Sequence, residues 1–288
     1  MAVATRAGSL HTLGFDDVTM DVDAALGGRV TALRLGGRNL VIGPDVDPDN
    51  FGSTFWTSPQ AAWGWPPVPE IDHLPYEVES SGPPGSLALR GPTSASLGVA
   101  VSKRFAVDAA RGALRFGFAI RNHTSAPVKA APWQISRVPP GGLTFFPTGD
   151  GSFPPSNLAV QQTPEVTWYA YDPAAVTDHQ KLFADGREGW IAHVHGDALW
   201  IKTFAAVPRA RQAPGEAQIE IYANPTHTYV EVEVQGAYDD IAPGAALEWR
   251  LTWLVRRLPE TIPRGSGSAA LVAHVRSLVA VDARAAEG

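Results

Sequence analysis

Short runs in which apolar and polar residues alternate recur along the chain, and Gly and Pro separate them. A side-chain period of two belongs to extended backbone with one face buried, whereas a helix needs a period near 3.6. Residues 18–22 place Val18, Met20 and Val22 on one side, and residues 29–35 alternate directly after Gly27-Gly28. Residues 99–107 and 113–122 read as a hairpin turning at 108–112. In its second arm Leu114, Phe116, Phe118 and Ile120 share a face, with Arg115 and Arg121 opposite. Further strands are expected at 128–137, 189–194, 198–204, 218–222, 229–235 and 246–256. One helical period remains, over 268–280, where Leu271, Val272, Val275, Leu278 and Val279 form a stripe suited to packing on the outside of a sheet. Many strands and one helix predict an all-β fold, a large β-sandwich with a short C-terminal helix.

No linker or repeat divides the chain, so residues 1–288 are expected to form a single domain, with a core at about 12–258. Hydrophobic residues make up 44% and charged residues 18%, a balance that supports a packed interior. A net charge of -6 without any basic stripe argues against a nucleic-acid partner. There is no cysteine, which excludes disulfides, thiolate metal sites and Cys nucleophiles. Neither a signal-peptide pattern nor an apolar run of bilayer length is visible, so the expectation is a cytoplasmic protein with no membrane partner; a processed secreted form would read the same way. No phosphate loop, dinucleotide fingerprint or Ser-nucleophile motif occurs, and no cofactor is expected.

The most unusual segment is 51–76. It holds Trp56, Gln60, Trp63, Trp65, Asp72 and His73 among several prolines, and reads as a loop rather than a strand. Indole faces stack on the C–H face of a pyranose while Gln, Asp and His bond its hydroxyls, so the segment suits a sugar platform. The bland alternative is a long loop pinned to the core by its aromatic rings. In 229–235 the valines at 230, 232 and 234 alternate with Tyr229, Glu231, Glu233 and Gln235. Two carboxylates at i and i+2 repel unless solvent or a cation intervenes. One of them lining a groove becomes a candidate general base; on an ordinary solvated strand face the pair has no function.

Glu220 and Tyr222 share a face in 218–222, and Trp200, Lys202 and Phe204 share one in 198–204. Lys202 is a candidate cation for the Glu pair, or a snorkelling surface lysine. Trp133 and Arg137 share a face, and Arg137 with Lys202 would allow an acidic or phosphorylated sugar to bind. His193 and His195 have chelating spacing and would need a third ligand such as Asp197, but no zinc signature surrounds them, and no metal is expected.

The segment Gly27-Gly28-Arg29-Val30-Thr31-Ala32-Leu33, continuing through Gly36-Gly37 to Asn39-Leu40, resembles the opening hairpin of the galactose mutarotase-like superfamily. Tyr229-Val230-Glu231-Val232-Glu233, then Ala242-Pro243-Gly244, then 248–253 resemble its closing segment. Residues 55–60, 190–192 and 201–204 resemble an uncharacterised branch of it. The resemblance implies a β-supersandwich that binds a small carbohydrate on its concave face. It also implies aldose 1-epimerase chemistry, in which a Glu takes the anomeric proton and a His protonates the ring oxygen. The Glu corresponds to Glu233, with Glu231 as the alternative. At the position of the family's His the chain has Pro132-Trp133-Gln134, so His73 or Lys202 is the expected substitute. A non-catalytic carbohydrate-binding module, or an enzyme using the groove for a non-sugar metabolite, fits the same residues.

Overall fold

A computed structural model describes residues 2–79, 82–152 and 156–286. Two antiparallel sheets pack face to face. The first runs in spatial order Ala2–Ala7, Leu10–Phe15, Val18–Asp23, Arg29–Leu35, Ser53–Ser58, Val128–Val138, Val230–Gln235, Ile219–Ala223 and Gln180–Gly186. The second runs Ser86–Thr93, Val99–Asp108, Ala113–Asn122, Ala246–Arg257, Ala198–Phe204 and Trp190–His195. The long strand Leu143–Ser152 joins the two: its first residues pair with Trp190–His195, and its later ones with Gln180–Gly186.

The alternating runs meet in the core between the sheets. Val230, Val232 and Val234 from the first sheet share it with Leu114, Phe116, Phe118 and Ile120 from the second. Phe55 stacks on Phe118 across the interface, with ring centroids 4.5 Å apart. A second apolar cluster lies on the far side of the second sheet. There Leu271, Val272 and Val275 of the helix Ala269–Ala286 cover Phe145, Trp168, Trp190 and Ile201. The helix therefore sits where its stripe placed it, and it extends six residues beyond position 280. Asp282 explains the extension, since it holds Arg115 of the second sheet at 2.6 Å.

One expectation is corrected. The 51–76 segment is not a loop throughout, because Ser53–Ser58 is an interior strand of the first sheet. All six residues are buried, with Phe55 turned to the core and Trp56 to the opposite face. A strand covered on both faces carries no polar alternation to betray it.

No helix among the described residues is long and apolar enough to cross a membrane.

Candidate functional site

Five neighbouring strands of the first sheet turn a common face away from the core. Cross-strand register assembles it. Trp56 lies opposite Trp133, and Ile135 and Arg137 lie opposite Glu233 and Glu231. Those two glutamates lie opposite Glu220 and Tyr222, which face Phe183 and Lys181 in turn. Side chains alternate, so the same register that buries the valines brings three glutamates together.

The cations that make this tolerable are Lys181 and Arg137. Lys181 Nζ lies 2.5 Å from Glu220 Oε2 and 3.2 Å from Glu233 Oε1, and 5.0 Å above the Trp133 ring. Trp133 Nε1 donates to Glu233 Oε2 at 2.8 Å. Arg137 Nε pairs with Glu231 Oε1 at 2.8 Å, and its guanidinium lies 5.3 Å from the Trp56 ring centroid. Gln235 Nε2 and the Ala217 backbone N–H both donate to Glu220 Oε1, at 2.8 and 2.7 Å. Glu220 and Glu233 are fully buried, whereas the Glu231 side chain keeps 13% of its surface.

Burial dominates the electrostatics. It pushes the Glu231 carboxyl up to about 7 against the pull of Arg137, with Glu233 adding repulsion. It pushes Glu220 well above the usual carboxylate range, opposed by Lys181 and reinforced by Glu233. Lys181 moves the other way. Burial alone would lower it, but Glu220 and Glu233 reverse that and hold its proton more firmly than in water. Burial thus favours the protonated form of Glu220, which lies beside a glutamate that accepts from two donors.

An aromatic wall borders the carboxylates. Trp56 meets Trp133, Trp63 and Trp65 edge-on, with centroids 5.4, 5.7 and 6.1 Å apart. Trp63 donates Nε1–H to the Thr57 carbonyl at 2.7 Å, while Trp65 is 61% exposed at the rim. Asp72 closes the wall from behind. It accepts from Trp56 Nε1 at 2.7 Å and pairs with Arg29 at 3.1 Å. Gly27 makes this seat possible: its φ is +63°, and a Cβ there would lie 2.0 Å from the Asp72 carbonyl oxygen. On the opposite rim His179 Nδ1 and the Tyr222 hydroxyl are 2.6 Å apart.

Most of the residues singled out in the sequence converge on this face: Trp56, Trp63, Trp65, Asp72, Trp133, Arg137, Glu220, Tyr222, Glu231 and Glu233. Gln60 lies at the edge, where its backbone N–H donates to Glu216 at 2.9 Å. His73 follows Asp72 at 3.5 Å, with its side chain half exposed. Lys202 lies elsewhere. It projects into the core from the second sheet, where Nζ donates to Gln134 Oε1 at 2.7 Å, Ser136 Oγ at 3.0 Å and the Val232 carbonyl at 2.6 Å. Burial pulls its pKa well below the ordinary lysine value. The cation shared by Glu220 and Glu233 is Lys181, from a strand that the sequence reading does not include, although Lys181 and Asp185 alternate there with Leu182 and Ala184. His193, His195 and Asp197 do not form a ligand set: His193 Nδ1 is 2.9 Å from Thr144 Oγ1, and Asp197 pairs with Arg38 and Arg257, each at 2.9 Å. Among the described residues no group of three or more His, Asp and Glu is placed to hold a metal ion.

Residues 10–256 match the sequence profile of a domain of unknown function, DUF4380. The chain belongs to the DUF4380 family. No curated protein matches it significantly. Among solved structures, it is similar to a galactose mutarotase-like protein from Clostridium acetobutylicum, at TM-score 0.58 and 10% identity over 90% of this chain and 99% of that one. A galactose mutarotase-like protein from Lactobacillus casei superposes at TM-score 0.57 and 12% identity, over 89% and 100% of the chains. A galactose mutarotase related enzyme from Lactobacillus acidophilus superposes at 0.55 and 9%, over 90% and 99%. The fold of this DUF4380 protein is thus the galactose mutarotase-like β-supersandwich.

Proposed function

We propose that this DUF4380 protein binds a sugar or sugar derivative on the Trp- and Glu-bearing face and acts on it by acid/base catalysis, as an aldose 1-epimerase-like isomerase. One observation carries the reading: two buried glutamates, Glu220 and Glu233, share one lysine beside a wall of tryptophans. The fold shared with galactose mutarotase-like proteins supports it.

The chemistry has a defined balance. A base removes the anomeric hydroxyl proton while an acid protonates the ring oxygen. The C1–ring oxygen bond then breaks as the aldehyde forms, and closure on either face reverses both transfers. Glu233 is the base, with Glu231 as its alternative, and Glu220 takes the acid role that has no histidine at position 133. Lys181 covers the two buried carboxyls, so its flexible side chain has to swing aside for a sugar to reach them.

The test is anomer exchange, followed by magnetisation-transfer NMR on a panel of aldoses. Wild type is expected to accelerate exchange on at least one of them, and Glu233→Gln to lose about 10²–10⁴-fold. Equal rates in the two proteins would remove Glu233 as the base. A protein that binds a sugar without accelerating exchange would be the non-catalytic module, a reading favoured by how fully Trp133 and Lys181 engage Glu233.

A further inference from the structure

We infer that the sugar taken by this face carries an ammonium group, an amino sugar rather than a sugar acid or sugar phosphate. The inference rests on the sugar-site reading above and narrows its substrate class.

The charges on the face do not balance. Asp185, Glu220, Glu231 and Glu233 point from it, and the cations beside them are Lys181 and Arg137, both already engaged by Glu220, Glu233 and Glu231. Lys202, which would have added a positive charge for an anionic ligand, lies on the other side of the sheet. Surplus carboxylates in a water-poor site are neutralised either by protons or by a ligand's positive charge. Burial raises both Glu220 and Glu231, which favours the first route in the free protein. A ligand ammonium supplies the second.

Unfilled acceptors point the same way. Asp185 is 7% exposed and shares a face with Lys181 and Phe183. Its Oδ1 accepts from Gln212 Nε2 at 2.6 Å, but its Oδ2 has no partner among the described residues. Gln235 is 2% exposed, and its Oε1 is likewise without a partner. Both are acceptors that a ligand ammonium or hydroxyl can fill and a carboxylate or phosphate cannot, while Arg137 Nη2 on the same face is an unfilled donor that a sugar hydroxyl can meet.

The aromatic rings complete the match. The Lys181 ammonium lies 5.0 Å from the Trp133 centroid and 5.4 Å from that of Phe183, so the face already holds one ammonium among carboxylates and rings. Glu231, the carboxylate with remaining exposed surface, lies opposite Tyr222, whose ring is 6.3 Å from Tyr229. An ammonium at Glu231 therefore has a charge partner, with aromatic side chains on the neighbouring strand positions.

The experiment compares Kd values by isothermal titration with wild-type protein at about pH 7, where an α-amino-type group is still largely protonated. Glucosamine, galactosamine and mannosamine are set against glucose, galactose and mannose, with N-acetylglucosamine and glucuronate as the neutral and anionic counterparts. At least one amino sugar is expected to bind about tenfold or more tightly than its parent hexose, the scale of one charge-assisted hydrogen bond. Glucuronate is expected to bind more weakly than glucose. Glu231→Gln should erase the preference, read as the ratio of the amino-sugar Kd to the parent-hexose Kd whatever the variant does to the parent hexose itself. Should that variant fail to fold, the wild-type comparison decides alone. Equal affinity for amino and parent sugars, or a preference for glucuronate, overturns the inference and leaves the sugar site standing. No binding by any member of the panel overturns both.

Discussion

Lys181 does the electrostatic work on which the candidate site depends. Replacing it by Met keeps the volume but leaves Glu220 and Glu233 buried without a counter-charge. Breaking a buried ion pair from one side typically costs about 3–5 kcal/mol. Urea denaturation at neutral pH should show a loss of that order for Lys181→Met; an unchanged midpoint would mean that the glutamates are neutralised another way. Glu231 permits a separate test by pH. Its carboxyl rises from 4.5 to about 7 on folding, so the folded state binds the proton that the unfolded state releases between those values. Stability from this group is therefore full below about 4.5 and lost as pH rises through about 7, a swing of roughly 3 kcal/mol at most. Other groups titrate too, Asp108 and Glu188 in the opposite sense. The observable is thus the difference between wild type and Glu231→Gln, whose stability-against-pH profile should be flatter between about 5 and 8. Parallel profiles would refute the assignment.

At the scale of the element, the strand Ser53–Ser58 shows why part of the site was hard to read. Its sequence Ser-Thr-Phe-Trp-Thr-Ser alternates nothing, because the core lies on one side and the aromatic wall on the other. Trp56 was legible as unusual but not as part of a strand. By contrast, Val230–Gln235 faces apolar core on one side and polar chemistry on the other, so periodicity alone puts Glu231 and Glu233 on the face opposite the valines, without telling a groove from a solvated surface. Lys202 was misplaced for a third reason: alternation assigns residues to faces but does not say which face meets the other sheet. The turn at Gly27 connects this level to the site. Gly27→Ala forces a positive φ on a residue with a Cβ and drives that Cβ into the Asp72 backbone. The expected result is a destabilisation of about 1–3 kcal/mol together with loss of the Trp56 Nε1–Asp72 bond, visible as an upfield shift of the Trp56 indole proton. An unmoved indole signal would show that Asp72 is seated independently of the turn.

For the whole molecule, the two sheets divide the labour. The second carries the helix on its outer side, and the first carries the candidate site on its own. The fold class and the C-terminal helix were readable because one-sided burial writes a period into the sequence, while the assembly of Glu220, Glu231 and Glu233 into one cluster depended on register, which a single strand does not encode. The same division predicts that changes under the helix spare the site. Leu271→Ala should cost about 2–5 kcal/mol, as for other buried leucines, while leaving sugar affinity unchanged. Altered affinity at full folding would show that the two faces are coupled. The most direct measurement of a sugar site on the first sheet is an NMR titration of the indole N–H signals of all nine tryptophans with the panel of neutral and amino sugars. Trp133 and Trp56 should shift with sugar concentration and reach a common saturation point, while Trp168, Trp190 and Trp253, buried on the second sheet, stay fixed. Unmoved Trp133 and Trp56 signals, or shifts confined to the second-sheet tryptophans, would contradict it.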